Sequence, residues 1–105
     1  SDVAAIASED HYCRVFARDG ASRLIYARFA DLAEEVAGLD GAVVRRGQWV
    51  AADAVRSIRR EKRRWVLVLA TGGSVAIAAS IVPELRRRGW IGANGASALA
   101  IEAGP

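Results

Sequence analysis

Arg45-Arg46-Gly47-Gln48 places, within four residues, the side chains best suited to reading a nucleic acid. A guanidinium is planar and always charged, and its fork of donors fits both a phosphate and the O6/N7 edge of guanine. Two neighbouring arginines can therefore hold the backbone with one group and a base with the other. Each good bidentate base contact is worth about 1–3 kcal/mol of discrimination. Gln48 matches the adenine edge, or it caps the corner; the sequence supports both. The plain alternative for the arginine pair is a solvated basic loop.

The densest basic run follows, with Arg56, Arg59, Arg60, Lys62, Arg63 and Arg64 broken by Glu61. It reads as a phosphate clamp that fixes register, or as an exposed hairpin end with solubilising charge. Strand alternation places Arg56 and Arg60 on one face and Arg59 on the other, so only part of the run can face one duplex. Arg86-Arg87-Arg88 are better read as complements to a helix C-terminus than as ligands. Lys plus Arg number 15 against 12 Asp plus Glu, a net charge of +3, and Lys62 is the single lysine, so the excess charge is almost all guanidinium. A GC-rich genome would give the same bias.

His11 and Cys13 stand two apart, which gives them one strand face and suggests a thiolate–imidazole pair. No orienting group is evident beyond the neighbouring Glu9 and Asp10, so catalysis is not expected. A surface pair near DNA, or a buried Cys13 beside an exposed His11, remains. The acidic residues show no metal-loop spacing, and a single cysteine excludes both a disulfide framework and a cysteine zinc site. No glycine-rich phosphate motif joins a strand to a helix. The expectation is a protein with no cofactor, no metal and no small-molecule substrate, and not an enzyme.

These residues must be positioned by strands. Val3 to Ile6 read as a first strand and His11 to Ala17 as a second, with Tyr12, Arg14 and Phe16 on the face opposite Cys13 and Val15. Asp19-Gly20 marks a turn, and Arg23 to Arg28 return as a strand. Phe29, Leu32, Ala33 and Val36 recur at helical spacing up to Gly38, with Asp31, Glu34 and Glu35 on the other face, pointing away from any nucleic acid. Val43-Val44 and Trp49-Val50 flank the basic corner as two strand segments. Val55 to Arg60, Arg64 to Ala70 and Val75 to Ala78 form three more strands. Pro83 opens a second helix, with Glu84 in its first turn and Gly89 as its stop. Trp49 and Trp65 are expected in the core, and Trp90 packs back on the sheet or forms a partner surface.

A length of 105 residues suits one domain, and 52% apolar residues are enough for a core. Trp65 to Pro83 carry no charge, about a membrane span in length, but Thr71-Gly72-Gly73-Ser74 at the centre favours two strands around a turn. No signal peptide is visible. The lone cysteine suits a reducing cytoplasm, and the absence of methionine suggests a fragment or a processed product. Periods taken as found give a mainly β chain with two short helices.

The order of these pieces resembles the LytTR family of DNA-binding domains over residues 3 to about 90. The resemblance rests on Ile6-Ala7-Ser8-Glu9-Asp10-His11-Tyr12-Cys13-Arg14-Val15 and on Phe29-Ala30-Asp31-Leu32-Ala33-Glu34-Glu35-Val36. It continues through Val44-Arg45-Arg46-Gly47-Gln48-Trp49-Val50-Ala51, Ala54-Val55-Arg56-Ser57-Ile58, the hairpin Trp65 to Ile77 and the helix from about Ser80. It implies an elongated antiparallel β-sandwich that inserts loops into successive major grooves and recognises double-stranded DNA with repeated half-sites, as a homodimer on the DNA. It further implies a bacterial transcription regulator whose upstream receiver or membrane segment is missing here, cytoplasmic or tethered to the inner membrane. The domain is expected over residues 1–91, with 92–105 a tail or an added edge strand. The expected contacts are Arg45, Arg46 and Gln48 at the corner, and His11, Cys13 and Arg14 by the tyrosine-bearing strand. Arg60, Arg63 and Arg64 on the basic hairpin and Ser80 before the last helix complete them. The chain departs from the family's His-Arg-Ser at Arg45 and Gly47, and from its Ser-Arg at Ala78-Ala79. A diverged protein-interaction module with weak or no DNA binding is the second reading; exposed apolar surface at Ala78, Ala79, Ile81 and Trp90 would favour it.

Overall fold

The computed structural model describes residues 2–92. Eight strands form two antiparallel sheets. The first takes β1 (Val3–Glu9), β2 (Tyr12–Ala17), β3 (Ser22–Tyr26), β4 (Gly41–Arg45) and β5 (Gln48–Ala51) in the order β3-β2-β1-β5-β4. The second takes β6 (Val55–Glu61), β7 (Arg64–Leu69) and β8 (Ser74–Ile77) in sequence order. Helix α1 (Phe29–Glu35) follows β3, and α2 (Val82–Arg87) follows β8. The extents of 40 × 30 × 26 Å give the elongated sandwich that was expected. No helix among the described residues is long and apolar enough to cross a membrane. The uncharged stretch from Trp65 folds as β7, β8 and the entry to α2. Beyond Gly92, the segment expected as a tail or edge strand lies outside the described residues.

Strand alternation gives the five-stranded sheet two covered faces. Ala5, Ala42 and Val50 point to the second sheet and meet Ile58, Trp65, Leu67 and Ile77, with Val82, Leu85, Trp90 and Ile91 closing one side. Ile6, Cys13, Trp49 and Ala51 point the other way and are covered by Phe29, Leu32 and Val36, the apolar stripe of α1. The central strands β1 and β5 are therefore buried on both faces, which explains their run of alanine, isoleucine, valine and tryptophan.

Bulges adjust this alternation. Between Val55 and Ser57, β6 carries one residue more than β7. Val55 and Ile58 can then both reach the core, and Arg56 is turned out to solvent. The expected pairing of Arg56 with Arg60 on one face is thus corrected: Arg60 shares its row with Trp65 and Ile77. β1 also runs to Glu9 rather than stopping at Ile6, because Ala7, Ser8 and Glu9 pair with Arg14, Cys13 and Tyr12.

Gly41 begins β4 under the indole of Trp49. A Cβ at Gly41 would lie 2.7 Å from the Val50 carbonyl oxygen and closer still to Trp49 Cζ2. Backbone and a buried ring have no room to yield. Gly41→Ala is expected to lower the unfolding free energy by about 1–3 kcal/mol, the usual cost of overpacking. Chemical denaturation of the two proteins measures it, and an unchanged midpoint would contradict the packing described.

Candidate nucleic-acid interface

The basic corner is the turn between β4 and β5. Arg45 pairs with Gln48, leaving Arg46 and Gly47 as the turn. Gly47 has φ +76°, a left-handed conformation that residues with a side chain adopt at a cost. A Cβ there would also approach Ser8 Cβ to 3.0 Å. The close approach is a bond: the Ser8 N–H donates to the Gly47 carbonyl at 2.7 Å. Glycine at this position meets both demands, the positive φ and the close approach to β1.

A second anchor lies one residue earlier. The ladder shifts between Val43 and Arg45, so Val44 is an extra residue on β4. Its side chain is fully buried between the sheets, and its carbonyl accepts from the Ala78 N–H at 2.9 Å. The tip is thus pinned to its own sheet by Gly47 and to the second sheet by Val44. Arg45 and Arg46 are exposed, and neither has an ion pair or side-chain hydrogen bond among the described residues. The nearest acidic strand end, Glu9, is already bonded to Arg14 at 2.8 Å.

The turn between β1 and β2, Asp10 and His11, lies at the same end of the sheet, because β5 starts where β1 finishes. Asp10 has φ +56°, a conformation that Asp tolerates better than most residues. The two turns are separated by two strand spacings, about 10 Å, and a major groove is about 12 Å wide. His11 is exposed at this turn, so it does not share a strand face with Cys13.

Cys13 must be removed from the contacts. It is 0% exposed on the α1 side of β2, and its Sγ–H reaches the Ala27 carbonyl at 3.4 Å. Burial pushes the thiol pKa above its ordinary value. Arg14 is half-buried, its Nε on Glu9 at 2.8 Å and an Nη on the Ser22 hydroxyl at 3.2 Å. It braces the sheet surface. Ser80 is exposed in the 3₁₀ turn Ala79–Ile81, beside the arginine tip through the Ala78–Val44 bond. What Ala78 supplies there is a backbone donor.

The second basic run divides. Arg63 lies in the turn and Arg64 opposite Glu61, both exposed and without partners among the described residues. Arg60 faces the other way, 5.6 Å from the Trp65 ring, with its Nε on the Lys62 carbonyl at 3.3 Å. Arg59 pairs with Glu61 at 2.6 Å. In and after α2, Arg86 lies 5.9 Å from the Trp65 ring, Arg87 pairs with Glu84, and Arg88 donates to the Gly41 carbonyl at 2.7 Å. Among the described residues no group of three or more His, Cys, Asp or Glu side chains could hold a metal ion. Trp90 is buried, 2% exposed, and of the four residues whose exposure would favour an interaction module only Ala79 is exposed.

The residues missed from the sequence are backbone donors and acceptors: Ser8, Val44 and Ala78. The Val43-Val44 doublet before the arginines carried a signal, since two adjacent apolar residues beside a turn break strict alternation.

Comparison with known proteins is consistent with this geometry. The family model described as the LytTr DNA-binding domain matches residues 1–90. Among solved structures, the LytTr DNA-binding domain of a Bacillus cereus protein described as a methyl-accepting/DNA response regulator superposes with a TM-score of 0.71 at 14% identity, covering 82% of this chain and 79% of that one. No curated protein matches the chain.

Two outcomes are expected. In the native protein Cys13 resists alkylation at neutral pH and reacts only in denaturant, because burial denies it both access and the thiolate form; rapid native labelling would contradict its placement. Gly47→Ala lowers stability by about 1–2 kcal/mol, from a left-handed residue with a side chain and the crowding of Ser8. Thermal or urea unfolding measures it.

Proposed function

The chain belongs to the LytTr DNA-binding domain family, and we propose that it binds double-stranded DNA sequence-specifically, as the reading domain of a bacterial transcription regulator. The tip Arg45–Gln48 and the turn at His11 are the loops inserted into the major groove. The observation that carries this reading is the pair Arg45 and Arg46, exposed on a doubly pinned turn and free of any acidic partner among the described residues. Rigid backbone anchoring limits the ordering cost of binding, and a guanidinium with no internal bond has its donors available for guanine.

Around this centre, Gln48 reads an adjacent base, and Ser80 contacts the wall beside Ala78. Arg63 and Arg64 hold phosphates on a neighbouring stretch of duplex and supply salt-sensitive affinity without sequence information. Arg60 contributes less than its sequence position suggests, because its guanidinium lies over Trp65 and on the Lys62 carbonyl. Repeated half-sites occupied by two copies follow the family pattern, as does a receiver or membrane-linked segment supplying the signal to a domain that works in the cytoplasm. The domain binds and does not catalyse.

Selection of bound sequences from random duplexes yields the probe. On that duplex Arg46→Ala is expected to lose about 1–3 kcal/mol of affinity and far less on unrelated DNA. Arg63→Ala should weaken both alike and flatten the dependence of log K on log salt by about one. Fluorescence anisotropy at two salt concentrations separates these. Equal loss on all sequences from Arg46→Ala would contradict the role assigned to it.

A further inference from the structure

The space between the two sheets is not filled evenly. Three of the four half-buried apolar side chains that pack on the inter-sheet core, Phe16, Leu69 and Val75, wall one cavity of about 380 Å³. Its floor is β1, where Ala5 and Ala7 stand two apart and so face the second sheet with nothing longer than a methyl group. Small-molecule pockets run from about 300 to 1,000 Å³, and an apolar cavity of about 150 Å³ already holds benzene. No charged side chain lines the cavity. Gln48 lines the end next to the arginine turn, opposite Ala7. Its side chain is half-buried, and its amide has no hydrogen bond among the described residues. A half-buried amide without a partner gains from a hydrogen bond offered there.

Shape and charge select the occupant. Of β8 only Ser74 and Val75 reach the cavity, because the Ala78–Val44 bond draws the other end of the strand to β4. An added strand would find too little edge there for a ladder. A charged ligand would bury its charge against uncharged walls. We propose that the cavity binds a compact, neutral, largely apolar molecule, the size of one or two fused rings with one hydrogen-bond donor, and that this molecule is an effector of DNA binding. The apolar body fills the space over Ala5 and Ala7, against Phe16 and Val75, and the donor bonds the Gln48 Oε1. An amide so engaged points inward and is withdrawn from adenine, which it reads only with its oxygen and nitrogen together. Ligand and base thus compete for one side chain. The coupling is reciprocal, so the factor by which the ligand lowers DNA affinity is the factor by which DNA lowers the ligand's. The effector role rests on the base-reading role proposed above for Gln48; the cavity does not.

Indole is the probe, and indene, which has the same shape without the N–H, is its comparison. Titration of the full chain with indole, followed by amide chemical shifts, should give saturable changes at Ala5, Ala7, Phe16 and Val75, half-complete at about 1 mM or below. Indene should bind about three- to tenfold more weakly. Val75→Phe and Ala7→Leu fill the cavity from opposite walls, and each should abolish the response; unfolding midpoints establish that they fold, and either variant suffices. On a duplex selected from random DNA by the unmodified protein, saturating indole should raise the half-saturation concentration about fivefold or more. It should change binding to unrelated DNA little and leave that of Gln48→Ala unaltered. Saturable changes that both filled variants retain, or shifts that stay linear and scattered over the surface, would overturn the site. Changes at Phe16 and Val75 on dilution of the protein alone, or on joint Leu99→Ser and Ile101→Ser, would give the cavity to a second copy or to the chain's own end, and overturn it too. Saturable binding with DNA affinity unmoved, or moved as much in Gln48→Ala, would overturn the effector role. A chain that binds no duplex would overturn the DNA-binding reading and the effector role with it, while the indole titration still decides the cavity.

Discussion

The hydrogen bond from the Ala78 N–H to the Val44 carbonyl joins the two sheets at the root of the arginine turn. It exists because β4 carries one residue too many for its ladder with β5. Alternation with Ala42 already sends the Val44 side chain into the inter-sheet core; the bulge takes Val44 out of the ladder with β5, and its carbonyl is free for Ala78. Ala78, the first residue after β8, supplies the donor. Together with the Ser8–Gly47 bond, this leaves the backbone of the corner with little freedom and its two arginine side chains with no task inside the fold. A surface loop of the same sequence without these anchors would have to be ordered on binding, at a cost of about 1–2 kcal/mol for each residue fixed.

The remaining arginines show how a domain with modest net charge can concentrate its binding potential. Arg14, Arg59 and Arg87 are matched with carboxylates, Arg88 with a backbone carbonyl, and Arg60 and Arg86 lie near the Trp65 ring. The exposed ion pairs among them are worth at most about 1 kcal/mol each; their effect is rather to fix where guanidinium groups are not available. Arg45, Arg46, Arg63 and Arg64 are left outward, as are Arg23, Arg28 and Arg56 elsewhere on the surface. Meanwhile Asp31, Glu34 and Glu35 lie on α1, whose apolar stripe covers the opposite face of the sheet. The acidic charge of the helix is thus placed behind the sheet, while at the tip end Glu9 is taken up by Arg14 and Asp10 lies exposed in the neighbouring turn.

Much of the architecture was legible because burial imposes period. Of the helical stripe, Phe29, Leu32 and Val36 do face the sheet, the uncharged stretch after Trp65 does fold as a hairpin, and Arg45–Gln48 is a corner between strands. What the sequence concealed depends on interruptions of that period. Alternation placed Arg56 with Arg60, and a bulge separated them. His11 and Cys13 share parity, but the strand begins after His11, so one is in solvent and the other in the core. Ala78 looked like the loss of a contact residue, since side chains are visible in a sequence and backbone donors are not. Gly47 looked like a lost hydroxyl, and its positive φ against Ser8 gives it a structural reason.

The most direct test of the account is a titration of isotopically labelled protein with the selected duplex, followed by amide chemical shifts residue by residue. The account predicts that the largest changes fall at Ser8 to His11, Arg45 to Gln48 and Ala78 to Ser80, while the amides of Asp31, Glu34 and Glu35 stay in place. Changes centred on α1, with the Arg45–Gln48 turn undisturbed, would contradict it.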